Sequence, residues 1–150
     1  MQHNVRIAEI KIAKRPDELV CILGSCVGVC LWDPNNGLGG LVHIMMPESN
    51  EDKREKGKYA DTGVKALVEK MEIKGSRLSD IVAKIYGGAS MFSMTGKKNT
   101  LNIGERNIEA VKKSLKEIGI PVVHEELGGT TGRKIIFNLD TGKVEVRQLK

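Results

Sequence analysis

Residues 23–43 read LGSCVGVCLWDPNNGLGGLVH, and the fold turns on how this stretch is parsed. Val27 to Trp32 is an unbroken apolar run of β-prone residues. Asp33-Pro34-Asn35-Asn36-Gly37 then supplies turn chemistry, because proline fixes φ while Asn and Gly accept positive φ. Leu38 to Met46 is apolar again and is stopped by Pro47. The spacing predicts a hairpin that sets the chain near Cys26 opposite the chain near His43. Whether the two side chains share a face depends on register, since a slip of one residue exchanges the faces of a strand.

The chemistry of this stretch lies in Cys26, which follows the Gly24-Ser25 turn, and in His43, which comes 17 residues later. A thiol near neutral pH is mostly protonated, so a nucleophilic cysteine needs a neighbour that takes its proton. An imidazole can do so and can later return the proton to a leaving group. The pair therefore reads as nucleophile and base, with His43 expected within hydrogen-bond reach of Cys26. The alternative is a buried cysteine and a strand histidine with no chemical role. Cys21, Cys26, Cys30 and His43 also make a nominal Cys3His set. Zinc is disfavoured, because Cys26 and Cys30 on an extended strand lie ~13 Å apart, against zinc–sulfur bonds of ~2.3 Å.

The 150 residues fit one domain spanning 1–150, with 40% hydrophobic and 29% charged residues, a balance typical of soluble globular proteins. Aromatics make up only 3%, so the core must be aliphatic. No apolar run approaches the ~20 residues of a membrane span. The first residues lack a signal-peptide core, so the chain is expected to be cytoplasmic and not membrane-inserted. An odd number of cysteines argues against a disulfide framework. The net charge of +5 is scattered among acidic residues, without the basic stripe or stacking aromatics of a nucleic-acid binder.

Along the rest of the chain, Val5 to Ile12 reads as a first strand and Leu19 to Leu23 as a second. Glu48 to Lys58 reads as an exposed connection. Asp61 to Glu72 reads as a helix with Val64, Leu67, Val68 and Met71 on one stripe, capped by Asp61 or Thr62 and stopped by Gly75. Ile81 to Tyr86 is a strand ending in Gly87-Gly88-Ala89-Ser90. Gly104 to Ile118 is a second helix, capped by Asn102, with Ile108, Val111, Leu115 and Ile118 inward. Three β segments follow, at Pro121–Glu126, Lys134–Leu139 and Lys143–Leu149. About seven strands and two helices in this order predict an α+β fold of layered mixed or antiparallel sheets. The loop carrying Gly87, Gly88 and Ser90 lacks the residues of a phosphate loop. It reads either as a close-packed turn or as a loop whose backbone meets the substrate near an oxyanion. Gly128 to Arg133 is open to the same two readings, with Arg133 either solvated or facing a carboxylate.

Taken together, LGSCVGVCLWDP, GGLVHIMMP, KYADTGVKALVEKM, KIYGGASMF, NIGERN and GGTTGRKIIFNLDTGKVEV resemble, in order, the motifs of the chemoreceptor glutamine deamidases, the CheD family. The resemblance runs from Ile7 to Val146. It implies a layered fold like that of the cytotoxic necrotising factor-type cysteine hydrolases, and a hydrolase converting glutamines of methyl-accepting chemotaxis receptors to glutamate. The family's catalytic cysteine falls on Cys26 and its histidine on His43. Donors near Gly24, Ser25 and Cys26 are expected to hold the oxyanion. A family threonine before the cysteine falls on Cys21, which is a poor substitute because S–H is a weak donor. The resemblance further implies no cofactor or metal. The implied partners are the receptor coiled coil and a CheC-type phosphatase. A non-catalytic adaptor to either is the alternative function.

Overall fold

The run from 27 to 32 is apolar without alternation because it lies in the middle layer of three, covered on both faces. The computed structural model describes residues 1–51, 54–90 and 102–149; Met91 and Phe92 of the KIYGGASMF motif and Asp52 and Lys53 of the polar connection lie outside them. The strands are β1 (Gln2–Asn4), β2 (Ile10–Lys14), β3 (Glu18–Leu23), β4 (Val27–Asp33), β5 (Leu38–Ile44), β6 (Val82–Gly87), β7 (Val122–Leu127), β8 (Arg133–Asn138) and β9 (Val144–Gln148). The helices are α1 (Ala60–Ile73) and α2 (Ile103–Ile118). One sheet has the order β1-β3-β8-β9 and the other β2-β5-β4-β6-β7. Among these strands β1 with β3 and β6 with β7 pair in parallel and the others antiparallel. The α+β layered architecture is the one expected.

The two faces of β4 feed two cores. Val27, Val29 and Leu31 join Val42 and Ile44 of β5 and pack against Val64, Leu67, Val68 and Met71 of α1 and Val111 and Leu115 of α2. Cys26, Cys30 and Trp32 face the other way and meet Leu19, Cys21, Leu23, Ile135 and Phe137 of the four-stranded sheet. Each fully buried aliphatic side chain contributes roughly 1.5–3 kcal/mol. The hairpin turn is held by Asp33, whose carboxylate accepts from the amides of Asn35 and Asn36, the Asn36 side chain and the Ser76 hydroxyl. That last bond, at 2.6 Å, ties the hairpin tip to the chain just beyond α1.

Two expectations are corrected. Val5 to Ile12 is not one strand. β1 ends at Asn4, and residues 6–9 form a turn in which the Glu9 amide donates to the Arg6 carbonyl and the Arg6 amide to the Glu9 carboxylate. Ala8 takes a left-handed φ of 70° there, which no strand permits. The cap of α1 is neither Asp61 nor Thr62: Tyr59 occupies that position without a side-chain cap. The Asp61 carboxylate instead accepts from Ser49, and the Thr62 hydroxyl donates to the Lys56 carbonyl. Asn102 does cap α2, accepting from the Glu105 amide at 2.9 Å.

Candidate active site

Register settles the question the sequence left open. His43 pairs with Gly28 across the β4–β5 ladder, and Val27 with Ile44 is its last pair before the Gly24-Ser25-Cys26 turn. Cys26, two residues before Gly28, therefore lies on the same face as His43, between the sheets. In a regular antiparallel ladder such diagonal neighbours lie about 7–8 Å apart, a span ring-bearing side chains cross. Gly28 presents no side chain between them, and Tyr86, its partner on β6, is buried beside it.

His43 is 4% exposed and is gripped by the turn after β1. Its backbone amide donates to the Glu9 carbonyl at 3.2 Å, and its carbonyl accepts from the Ala8 amide at 3.0 Å. Its Nδ1 lies 3.1 Å from the Val5 carbonyl oxygen. A carbonyl only accepts, so Nδ1 carries the proton and the neutral ring presents the Nε2 lone pair. Burial lowers the pKa of His43, against the opposing pull of the Val5 carbonyl and nearby Glu9. Burial likewise raises the Cys26 thiol. Among the described residues no hydrogen bond joins Cys26 to His43, whose ring is bonded to Val5. The ground state is a neutral thiol near a neutral imidazole, an arrangement suited to proton transfer during attack rather than to a standing ion pair. A cavity of about 360 Å³ opens beside the imidazole, lined by Asn4, Val5, Arg6, Ile7, Ile22 and His43; Cys26 is not part of its lining.

The glycine loops converge on the Cys26 turn. The Gly88 amide donates to the Cys26 carbonyl at 2.8 Å and the Ala89 amide to the Gly24 carbonyl at 2.9 Å. Gly87 has φ of 104°, and a side chain there would sit 2.3 Å from the Cys26 carbonyl oxygen. The Ser90 amide donates to the Gly129 carbonyl and the Gly128 amide to the Gly87 carbonyl. The amides of Gly88, Ala89 and Ser90 are thus occupied by carbonyls, and the loop serves here to fix the backbone around the thiol. Arg133 is neither solvated nor paired with a carboxylate: the residue is 5% exposed, and its guanidinium donates to the Glu126 and Gly128 carbonyls and braces the loop between β7 and β8.

Cys21 is buried in the same inter-sheet core, where burial and then the neighbouring Cys26 push its thiol up to about 12. It is neutral at any physiological pH and does not orient His43, whose Nδ1 is already taken. Cys30 is fully buried and also shifted well upward by burial. Of the remaining histidines, His3 meets Asp17 at 2.8 Å, and His124 lies 3.6 Å from the Glu126 carboxylate with its ring 6.0 Å from that of Tyr86. Sequence reasoning missed the Val5 carbonyl, since a backbone acceptor leaves no residue-type signal. It also assigned no role to Asn107, whose side-chain amide donates to the Ser25 carbonyl at 3.1 Å and the Met45 carbonyl at 3.0 Å; the NIGERN motif was the available signal.

These features define a class: a layered α+β protein with a thiol and an imidazole on one inter-sheet face, the imidazole held in a set tautomer. Comparison with known proteins narrows it. The family described as CheD chemotactic sensory transduction matches residues 45–148. A protein of Clostridium tetani named probable chemoreceptor glutamine deamidase CheD is 44% identical over 149 residues, covering 97% of this chain and 90% of that one. A Clostridium botulinum protein of the same name is 44% identical over 147 residues, covering 96% and 91%. The chain belongs to the CheD family. Its fold is shared by Bacillus licheniformis hypothetical protein YfiH, a solved structure with TM-score 0.50 and 19% identity, covering 81% of this chain and 50% of that one. The family match begins after both Cys26 and His43, so these positions are covered by the full-length relatives alone.

Proposed function

We propose that this chain is a protein-glutamine deamidase acting on the glutamines of chemotaxis receptors, with Cys26 as nucleophile and His43 as its base. The observation that carries this reading is the Val5 carbonyl on His43 Nδ1, which leaves Nε2 free to accept a proton on the face shared with Cys26. Family membership and the names of the full-length relatives support the substrate class. Cys26 Sγ attacks the side-chain amide carbon of glutamine as its proton passes to His43 Nε2. The Cys26 amide, on the Gly24-Ser25 turn, steadies the oxyanion. The imidazolium gives its proton to the departing nitrogen, the C–N bond breaks, ammonia leaves and a thioester remains. Water, deprotonated by His43, then releases glutamate and restores the thiol. The sequence requires no metal or cofactor.

No helix among the described residues is long and apolar enough to cross a membrane. We read the chain as a cytoplasmic protein of one domain, working on the cytoplasmic coiled coil of receptors. A CheC-type phosphatase is its second expected partner, by resemblance. The adaptor reading is favoured by one observation, that Cys21 stands where the family resemblance places a threonine. One assay separates the two. Incubation with a receptor cytoplasmic fragment should release ammonia and convert glutamine to glutamate in its peptides. Cys26→Ala should abolish this with the fold intact, while Cys30→Ala should retain most of it. Turnover by a folded Cys26→Ala protein would overturn the mechanism, and absence of turnover by the wild-type chain would favour the adaptor.

A further inference from the structure

We infer that Asn107, on α2, is a positioning residue for the reaction: its side-chain amide clamps the Cys26 turn to the end of β5 and so fixes the thiol relative to His43. The inference rests on the proposed deamidase reading. Pairing between β4 and β5 stops at Val27 and Ile44. Beyond that pair the two chains diverge, and no ladder bond holds Ser25 to Met45. Asn107 replaces it, donating its two N–H bonds to the carbonyls of those two residues. Ser25 precedes Cys26, and Met45 lies two residues beyond His43, so the clamp straddles the reactive pair.

The clamp is rigidly mounted. Asn107 is fully buried. The α2 backbone sits directly on the loop after β6: a side chain at Gly104 would come 2.5 Å from the Ala89 carbonyl and 2.6 Å from that of Gly88. Asn102, the N-cap of α2, donates to the Ser90 hydroxyl at 2.6 Å. The same loop holds the Cys26 and Gly24 carbonyls. Helix, loop and turn are therefore one unit, with Asn107 as its link to β5. Its Oδ1 is buried and has no hydrogen-bond partner among the described residues. An unsatisfied buried acceptor is costly, and a residue chosen for packing alone would be apolar. The two donors explain why an amide occupies the position.

Ser114 provides the control. It lies on the same helix, is buried, and its hydroxyl donates to the Ala60 carbonyl at 3.1 Å, away from Cys26. Loss of either side chain removes buried bonds to carbonyls, but only one set touches the thiol's turn. The experiment compares Asn107→Ala and Ser114→Ala with the wild-type chain. Folding is followed by circular dichroism, deamidation by kcat and KM on a receptor fragment, and alkylation of Cys26 by iodoacetamide through mass spectrometry of its peptide. Asn107→Ala should lower kcat by about 10–100-fold with KM nearly unchanged, since a misplacement of about 1 Å costs that much. The same variant should alkylate faster at Cys26, because a loosened turn exposes the thiol. Ser114→Ala should change neither. Asn107→Ser, which keeps one donor, serves if alanine prevents folding, with intermediate effects.

Unchanged alkylation in a folded Asn107 variant overturns the inference, as does faster alkylation with unchanged kcat. So does a Ser114→Ala variant showing the same two changes. If the wild-type chain does not deamidate at all, the function reading fails. The alkylation comparison then still decides whether Asn107 holds the Cys26 turn.

Discussion

Cys26 and His43 are both displaced toward their neutral forms by burial, and this shapes what each neighbour can contribute. In the proposed mechanism a third group is needed only to hold the imidazole, and the Val5 carbonyl, 3.1 Å from Nδ1, is placed to do that without a side chain. Cys21, in the position the family resemblance gives to a threonine, is therefore released from that duty. Its thiol, pushed up to about 12, remains protonated and acts as a small apolar group filling the space between the sheets. Cys21→Thr is expected to keep turnover within about threefold, since His43 already has its acceptor. Cys21→Ala is expected to cost about 1–2 kcal/mol through the cavity left behind, and far less in kcat than Cys26→Ala or His43→Ala. Denaturant titration and steady-state kinetics on the same preparations check both. If Cys21→Ala abolished turnover in a folded protein, the Val5 carbonyl would not suffice to orient the base.

At the scale of elements, the strands were legible where their apolar pattern was continuous and illegible where a turn hid inside it. Val27 to Trp32 and Leu38 to Met46 announced the hairpin because the Asp33 to Gly37 turn has unmistakable chemistry. Helix α2 was read to within a residue, because Asn102 and Gly119 mark its ends and the stripe through Val111 and Leu115 is regular. Val5 to Ile12 failed because Arg6 and Ala8 carry no turn signature. What bends them is the bonding of Arg6 with Glu9 and of Ala8 and Glu9 with His43, all settled by tertiary contact. The group orienting His43 is the carbonyl of Val5, the residue just before that turn, and like the turn it is set by backbone bonding that leaves no residue-type signal. The loop after β6 was recognised, but its use was not, since only the register shows Gly87 against Cys26. Gly87→Ala tests that contact, with Gly75→Ala as control. Both glycines have nearly the same positive φ, 104° and 108°, but a side chain at Gly75 meets nothing within 4 Å. Each substitution should cost about 1–3 kcal/mol in backbone strain, measured by denaturant midpoint. Only Gly87→Ala should also depress deamidation at saturating substrate, by shifting the Cys26 carbonyl; full activity in that variant would mean the contact is dispensable.

The whole molecule buries an ionisable ring between two sheets, and its stability should record this. Burial holds the pKa of His43 below the ordinary imidazole value of 6.5. The unfolded chain therefore takes up a proton near that value, while the folded chain resists protonation until lower pH. Between the two values the unfolded state binds more protons, so stability falls as pH falls through this window and is unaffected by the group above it. Asp33 works in a separate range. Burial alone would raise its carboxyl, but the bonds from Ser76, Asn36 and Asn35 outweigh it and hold the pKa below 3.8, so its contribution is lost only in stronger acid. A thermal series from pH 8 to pH 5 on the wild-type chain and His43→Gln isolates the histidine. The wild-type melting temperature should drop on the acid side of 6.5, and the variant, which has no ring to protonate, should show a smaller drop even if it melts lower throughout. Parallel curves would mean that His43 takes its proton equally well folded and unfolded. The effect of burial on the His43 ring would then have to be abandoned.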